Sequence, residues 1–297
     1  MTLHTESPTP RASLAIPFML GASCLVAATS IIAKALGTGP GDLAGLHPFQ
    51  VSAGRFVFAF LTLMLFLLAS PGNRPSLAGA NWGLHLVRSL CGWLGVTSVF
   101  AAVARMPVAD ATAISFLSPL VTMGLAVAML GEHLGVRKIA AALLALSGAV
   151  MILKPGTDAF QAAAFFALAA AVFMGLEAIF IKRLSETEPV MRVLVINNGI
   201  GAIVSSVVAC FFWSWPSGLQ WPLLAMLGAV MVSAQTMLIQ AMKRGDASAV
   251  APVLYSVLVF AAIYDMTLYG VVPDWLAVLG GLLILSGALL LSRARTA

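Results

Sequence analysis

The charges of this 297-residue chain are gathered into short stretches, and between them run apolar segments each about as long as a bilayer is thick. A helix crossing the ~30 Å hydrocarbon core needs roughly 20 mostly apolar residues. Ten runs meet that length: 12-36, 47-70, 82-104, 107-130, 136-154, 159-181, 190-213, 221-242, 247-270 and 275-292. This limits the fold severely, because in lipid every backbone N–H and C=O must find its partner within the protein. The runs are continuously apolar and too long for tilted strands of ~10 residues with alternating polarity. The expected fold class is therefore an all-α polytopic membrane protein with ten transmembrane helices. Composition agrees: charged residues make up 9% of the chain, against about 25% in a soluble domain. The first run follows Arg11 and exceeds the ~7 to 15 apolar residues of a signal peptide, so it is expected to stay as the first helix.

Placing both termini in the cytoplasm puts Arg11, Arg74, Arg137, Lys138, Lys182, Arg183, Arg192, Lys243, Arg244, Arg293 and Arg295 inside, against Arg105 and Lys154 outside. Short loops are where this bias reports orientation. The formal charge of +5 then follows from topology and from anionic lipid at the inner surface, and no nucleic-acid partner is needed to explain it. Residues 1-11 and 293-297 are read as cytoplasmic tails. Cys24, Cys91 and Cys210 are odd in number and lie inside apolar runs, which points to packing rather than a disulfide or metal site.

The chain repeats itself. The phrase LLALSGA, Leu143 to Ala149, returns as LLILSGA, Leu282 to Ala288. At the same offset Ala104–Leu153 lies over Lys243–Ser292, with Phe116 on Tyr255 and Gly131 on Gly270. Lys34 likewise corresponds to Lys182, and Pro48 to Pro189. The units are 12-154 and 159-292, each of five spans. An odd number of spans makes the second unit enter from the opposite side, so the halves form an inverted repeat, a pattern that places transporter sites near the midplane between them.

Lys34 closing the first span, GRFVFAF around Arg55, and Arg88 to Gly135 with PVADATAISFLSPL and a helix-ending LGE give the sequence its resemblance to a known family. It resembles the drug/metabolite transporter superfamily, in particular its EamA-type ten-helix bacterial permeases. The resemblance covers nearly the whole chain. It implies a multi-pass protein of the bacterial inner membrane that moves small metabolites by secondary transport, with members exporting metallophores or amino-acid derivatives and others taking up riboflavin or S-adenosylmethionine. The second half departs from the pattern: Val271 stands where Glu132 would, and Asp265 lies opposite Ala126.

A charge near the bilayer centre costs roughly 2.5–3.5 kcal/mol on insertion scales, so it normally faces a partner or an aqueous cavity. The candidates for substrate binding or coupling are Glu177, Arg55, Arg88, Lys34, Trp93, Phe116, Gln235, Tyr255 and Asp265. Glu177, about one turn from the inner end of span six, reads equally as a cavity carboxylate that takes an amine or a coupling proton and as a structural acid. For Arg55 and Arg88, pairing or headgroup contact weighs above direct carboxylate binding. Lys34 reads as an anchor or a contact for Asp110 at the outer mouth. Asp110 itself suits a helix N-terminus. The symmetric Phe116/Tyr255 pair, with Trp93, offers stacking surfaces, and the bland alternative for each is packing. Gln235 is deep in span eight, and Asn197 and Asn198 stand where the first half has Arg55; amides of this kind join helices by hydrogen bonds. The small residues of spans five and ten read as scaffold or as a face for a second copy of the chain.

No HExxH, GxSxG, clustered carboxylates, paired Cys/His ligands or Walker A motif is present in the sequence, so neither an enzyme nor an ATP-driven pump is indicated. No cofactor or metal is expected. The leading expectation is export of a small zwitterionic or amino-acid-derived metabolite by alternating access. Uptake of riboflavin or an S-adenosylmethionine-like cofactor is the alternative within the class, and a lipid flippase or a non-transporting sensor the alternative outside it.

Overall fold

The computed structural model describes residues 14–38, 45–103, 114–153, 164–270 and 272–293. Ten helices of at least 13 residues organise them: α1 Ala15–Thr38, α2 Pro48–Ala69, α3 Trp82–Val103, α4 Ser118–Leu130, α5 Val136–Leu153, α6 Ala164–Thr187, α7 Val190–Ala209, α8 Gln220–Arg244, α9 Ser256–Tyr269 and α10 Trp275–Arg293. No strand occurs among the described residues. Six helical segments in the described residues, including Ala15–Gly37, Pro48–Ala69 and Gln220–Arg244, are long and apolar enough to cross a membrane. Leu65, Leu68, Phe165, Ile203 and Val207 are each at least 60% exposed. Large apolar side chains so placed on the outside of a bundle suit lipid as the surrounding solvent.

Local chemistry sets several boundaries. Pro48 opens α2, where a missing N–H costs nothing, and His47 Nδ1 accepts from Phe49 N at 3.4 Å. Gly131 ends α4 at φ 69° and Gly270 follows α9 at φ 67°. Both occupy the left-handed region that a helix stop favours and that only glycine enters cheaply.

Two spans depart from expectation. The sixth was expected to stop at 181 but continues to Thr187. Its charged end stays helical because Lys182 Nζ bonds Met242 O at 3.0 Å and Glu186 at 2.9 Å, while Leu184 and Ser185 are buried. The ninth is broken: one helical turn, Ala247–Val250, leads through a 3-10 segment, Ala251–Tyr255, into α9. Pro252 lacks the N–H that would carry an α-helix through this point. Span four shows a like interruption, with a turn at Phe116 and Leu117 just before Pro119; residues 104–113, which hold Arg105 before that span and Asp110 near its start, lie outside the described residues.

The packing partners obey a two-fold exchange. α1 packs on α8 and α6 on α3; α4 packs on α6 and α9 on α1; α2 pairs with α7 and α5 with α10. Replacing each helix by the one five places along regenerates this set. At the α5–α10 contact the symmetry reaches single residues. A Cβ on Gly148 would meet Gly280 O at 2.3 Å and Ile284, and one on Gly287 would meet Ala141 O at 2.7 Å and Ala145. The twice-written SGA thus lets two helices approach within the thickness of a side chain. The glycine faces of these two helices cover each other.

Candidate functional site

Three helices bring the buried charges together. Arg88 lies on the second turn of α3 and Gly92 one turn further along the same face. Glu177 approaches from α6, and Arg55 comes from the second turn of α2. Arg88 Nη2 lies 3.6 Å from Glu177 Oε1, an ion pair looser than a hydrogen bond, with the arginine side chain 1% exposed and the glutamate 27%. Gly92 makes this possible: a Cβ there would sit 2.7 Å from Glu177 Oε1. The Arg55 guanidinium lies over the Phe56 ring at 4.3 Å.

These groups line a cavity of about 220 Å³ whose wall also includes Ser89, Thr122, Asn197 and Gln235, with Met19, Met174, Met231 and Met242. The wall draws on both units: α1, α2, α3 and α4 from the first and α6, α7, α8 and the Ala251–Tyr255 segment from the second. Thioethers on flexible stems give it a surface that adapts to shape. The amides form part of a buried network in which Ser89 Oγ bonds Asn197 Oδ1 at 3.1 Å and Asn198 Nδ2 donates to Gln235 Oε1 at 2.8 Å. A second cavity of about 300 Å³, lined by Thr29, Ser30, Gly37, Leu46, Pro48 and Ser52, shares Arg55 and Val96 with the first. It lies at the end of the bundle where α1 stops and α2 begins.

The opposite end is bridged by hydrogen bonds across the repeat. Glu132, just after α4, accepts from Ala247 N at 2.8 Å and from Ser248 N at 2.9 Å, and bonds Ser248 Oγ as well. It caps the turn before α9, whose own N-cap residue, Asp246, makes no side-chain cap. Lys138 bridges Asp246 Oδ2 and Ser248 Oγ, both at 2.9 Å, and Arg183 bonds Met129 O at 2.8 Å. Nearby, His85 Nε2 and Glu188 Oε2 form a buried pair at 2.9 Å, and Glu188 Oε1 accepts from Asn81 N at 2.8 Å.

Of the residues singled out by sequence, Glu177, Arg55, Arg88 and Gln235 meet in one cavity. Glu177 is deeper than expected, ten residues before Thr187 and so nearly three turns from the helix end. Headgroup contact for Arg88 is ruled out by its burial. Phe116 and Tyr255 do meet, with ring centroids 5.9 Å apart and planes tilted by 31°, but they pack with the cluster of Ala145, Ala149 and Ile284 at the α5–α10 contact and do not line the cavity. Trp93, the residue after Gly92, is half-buried and turned from the cavity wall. Lys34 is exposed near the end of α1 and lines neither cavity. Asp265 lies on α9, its side chain outside the described residues. Sequence reasoning did not find Gly92, Ser89 or the His85–Glu188 pair. A glycine's role as space for a distant carboxylate leaves no local signal.

Two like helical units packed by a two-fold exchange around a charged internal cavity are the architecture of a membrane transporter. The chain belongs to the EamA-like transporter family, whose model matches twice, over residues 13–154 and 161–293. It is 30% identical to an S-adenosylmethionine uptake transporter of Rickettsia felis over 88% of this chain and 86% of that one. It is 28% identical to the pseudopaline exporter CntI of Pseudomonas aeruginosa, covering 82% and 87%, and 27% identical to a riboflavin transporter of Vibrio cholerae, covering 81% of each. A solved protein structure matches with a TM-score of 0.80 at 22% identity over 95% of this chain and 99% of that one, which speaks for the fold alone.

Proposed function

We propose that this transporter moves a small zwitterionic or amino-acid-derived metabolite out of the cell by alternating access, from a site formed by Glu177, Arg88, Arg55, Asn197 and Gln235. The observation that carries the reading is the cavity itself: two guanidiniums and a carboxylate held at membrane depth, where charge is costly unless it serves a pathway. Arg55 offers a carboxylate the first contact, since it borders both the deep cavity and the outer one. Glu177, loosely paired with Arg88, is placed to receive an amine or a coupling proton.

With the termini inside, as the Lys/Arg bias supports, the two units run in opposite senses through the inner membrane. The Glu132–Ser248 and Lys138–Asp246 contacts then lie at the cytoplasmic end, and the outer cavity opens to the far side. That combination is an outward-open arrangement with a latched inner gate. Uptake of an S-adenosylmethionine-like cofactor is the second reading, favoured by the uptake transporter at 30% identity.

Counterflow into proteoliposomes, followed by assays in right-side-out and inverted vesicles, separates these readings. Export requires substrate to leave right-side-out vesicles faster than it enters. Net accumulation of S-adenosylmethionine in the same vesicles would support uptake instead.

A further inference from the structure

The cavity wall has an unequal supply of hydrogen-bonding groups. Among the described residues that line it, the buried polar atoms without a partner are Arg88 Nε, Arg88 Nη1, Arg55 Nε and Asn197 Nδ2. All four are donors. Two wall acceptors are already engaged, Asn197 Oδ1 by Ser89 and Gln235 Oε1 by Asn198, while the Glu177 carboxylate faces the charge of Arg88 at 3.6 Å. Arg88 and Asn197 are 1% and 3% exposed, so bulk water does not satisfy them in place of a ligand. Buried donors normally have partners, and the planar fork of a guanidinium matches the two oxygens of a carboxylate.

The formal charges point the same way. Arg55, Arg88 and Glu177 are the only charged residues among those lining the cavity in the described structure, and they leave one positive charge in excess. A zwitterion leaves that excess in place. A cation doubles the excess, in surroundings where charges interact far more strongly than in water. A cargo with one surplus negative charge cancels it and supplies the missing acceptors.

Resting on the transporter reading above, we infer that the cargo is an organic anion: an amino-acid-derived carboxylate with one more negative than positive charge, its oxygens held by Arg88, Arg55 and Asn197. Glu177 then acts as a selectivity residue that limits how much negative charge the site accepts. The relatives that carry other solutes need not share this balance, since it depends on two arginines set against one carboxylate.

The test uses the purified full-length chain in liposomes loaded with an equimolar mixture of L-glutamate, N-acetylglutamate, L-glutamine, L-lysine, S-adenosylmethionine and riboflavin, together with a bacterial metabolite extract. Mass spectrometry of the effluent, with protein-free liposomes subtracted, ranks the solutes by net charge. Species with surplus negative charge are expected to move at least about tenfold faster than the cations, as like charges in a binding site are strongly disfavoured. Arg55→Gln should narrow that ratio and Glu177→Gln should widen it. Lysine or S-adenosylmethionine moving as fast as the anions would overturn the inference while leaving the transporter reading intact. Absence of any protein-dependent flux would contradict both.

Discussion

Gly92 and Glu177 meet where a side chain is missing. The carboxylate occupies the space a Cβ would take, with all three of its terminal atoms within 3.0 Å of that position. Gly92→Ala therefore pushes a flexible side-chain end rather than backbone. The variant is expected to fold and to reach the membrane in normal amounts, yet to transport at least about tenfold more slowly, since a misplacement near 1 Å can cost that much or more. Expression measured alongside counterflow checks this, and an unimpaired rate would mean that the position of Glu177 is immaterial. Glu177→Gln asks a separate question. If the carboxylate carries a coupling proton, the variant loses the pH dependence of transport while staying in the membrane. Retained pH dependence removes Glu177 from that role.

Helices meet here through small residues and backbone, and that sets what they tolerate. At the α5–α10 contact, a Cβ on Gly148 would lie 2.3 Å from the backbone oxygen of Gly280. A backbone atom cannot swing aside as a side chain does, so Gly148→Val should separate the helices at a cost of about 1–3 kcal/mol or more. Its symmetry mate Gly287→Val should do the same, and both should lower the thermal midpoint in detergent; an unchanged midpoint would show that the close approach is not needed for stability. Just after α4, Glu132→Ala leaves the Ala247 and Ser248 N–H groups without their acceptor, a loss of about 1–2 kcal/mol. Faster hydrogen exchange at these two amides is the expected signature. Equal protection in the variant would show that the latch carries no load.

For the molecule as a whole, the arrangement of spans was legible because lipid enforces it: a continuous apolar run has one solution, and α2, α3, α5 and α10 begin within a residue of where the runs do. Glycine stops and the repeated SGA were readable too, since each encodes a local backbone need. Misread were the places where a distant group decides. α6 extends past its apolar run because Met242 O receives Lys182, and span nine breaks where Pro252 falls. The candidate site was legible as a set of costly charges, Glu177, Arg55 and Arg88, but not as an arrangement. Phe116 and Tyr255 were found as a pair by symmetry, and only packing reveals that they serve the scaffold.

The most direct test of the central claim, that the charges meeting between the halves form the cargo site, is protein-dependent counterflow compared between the wild type and Arg55→Gln and Arg88→Gln, each confirmed to be folded by its thermal transition. The account predicts saturable exchange in the wild type and a reduction of at least about tenfold in both variants, the scale expected when a buried charged contact is removed. Exchange at the wild-type rate in folded variants would contradict it.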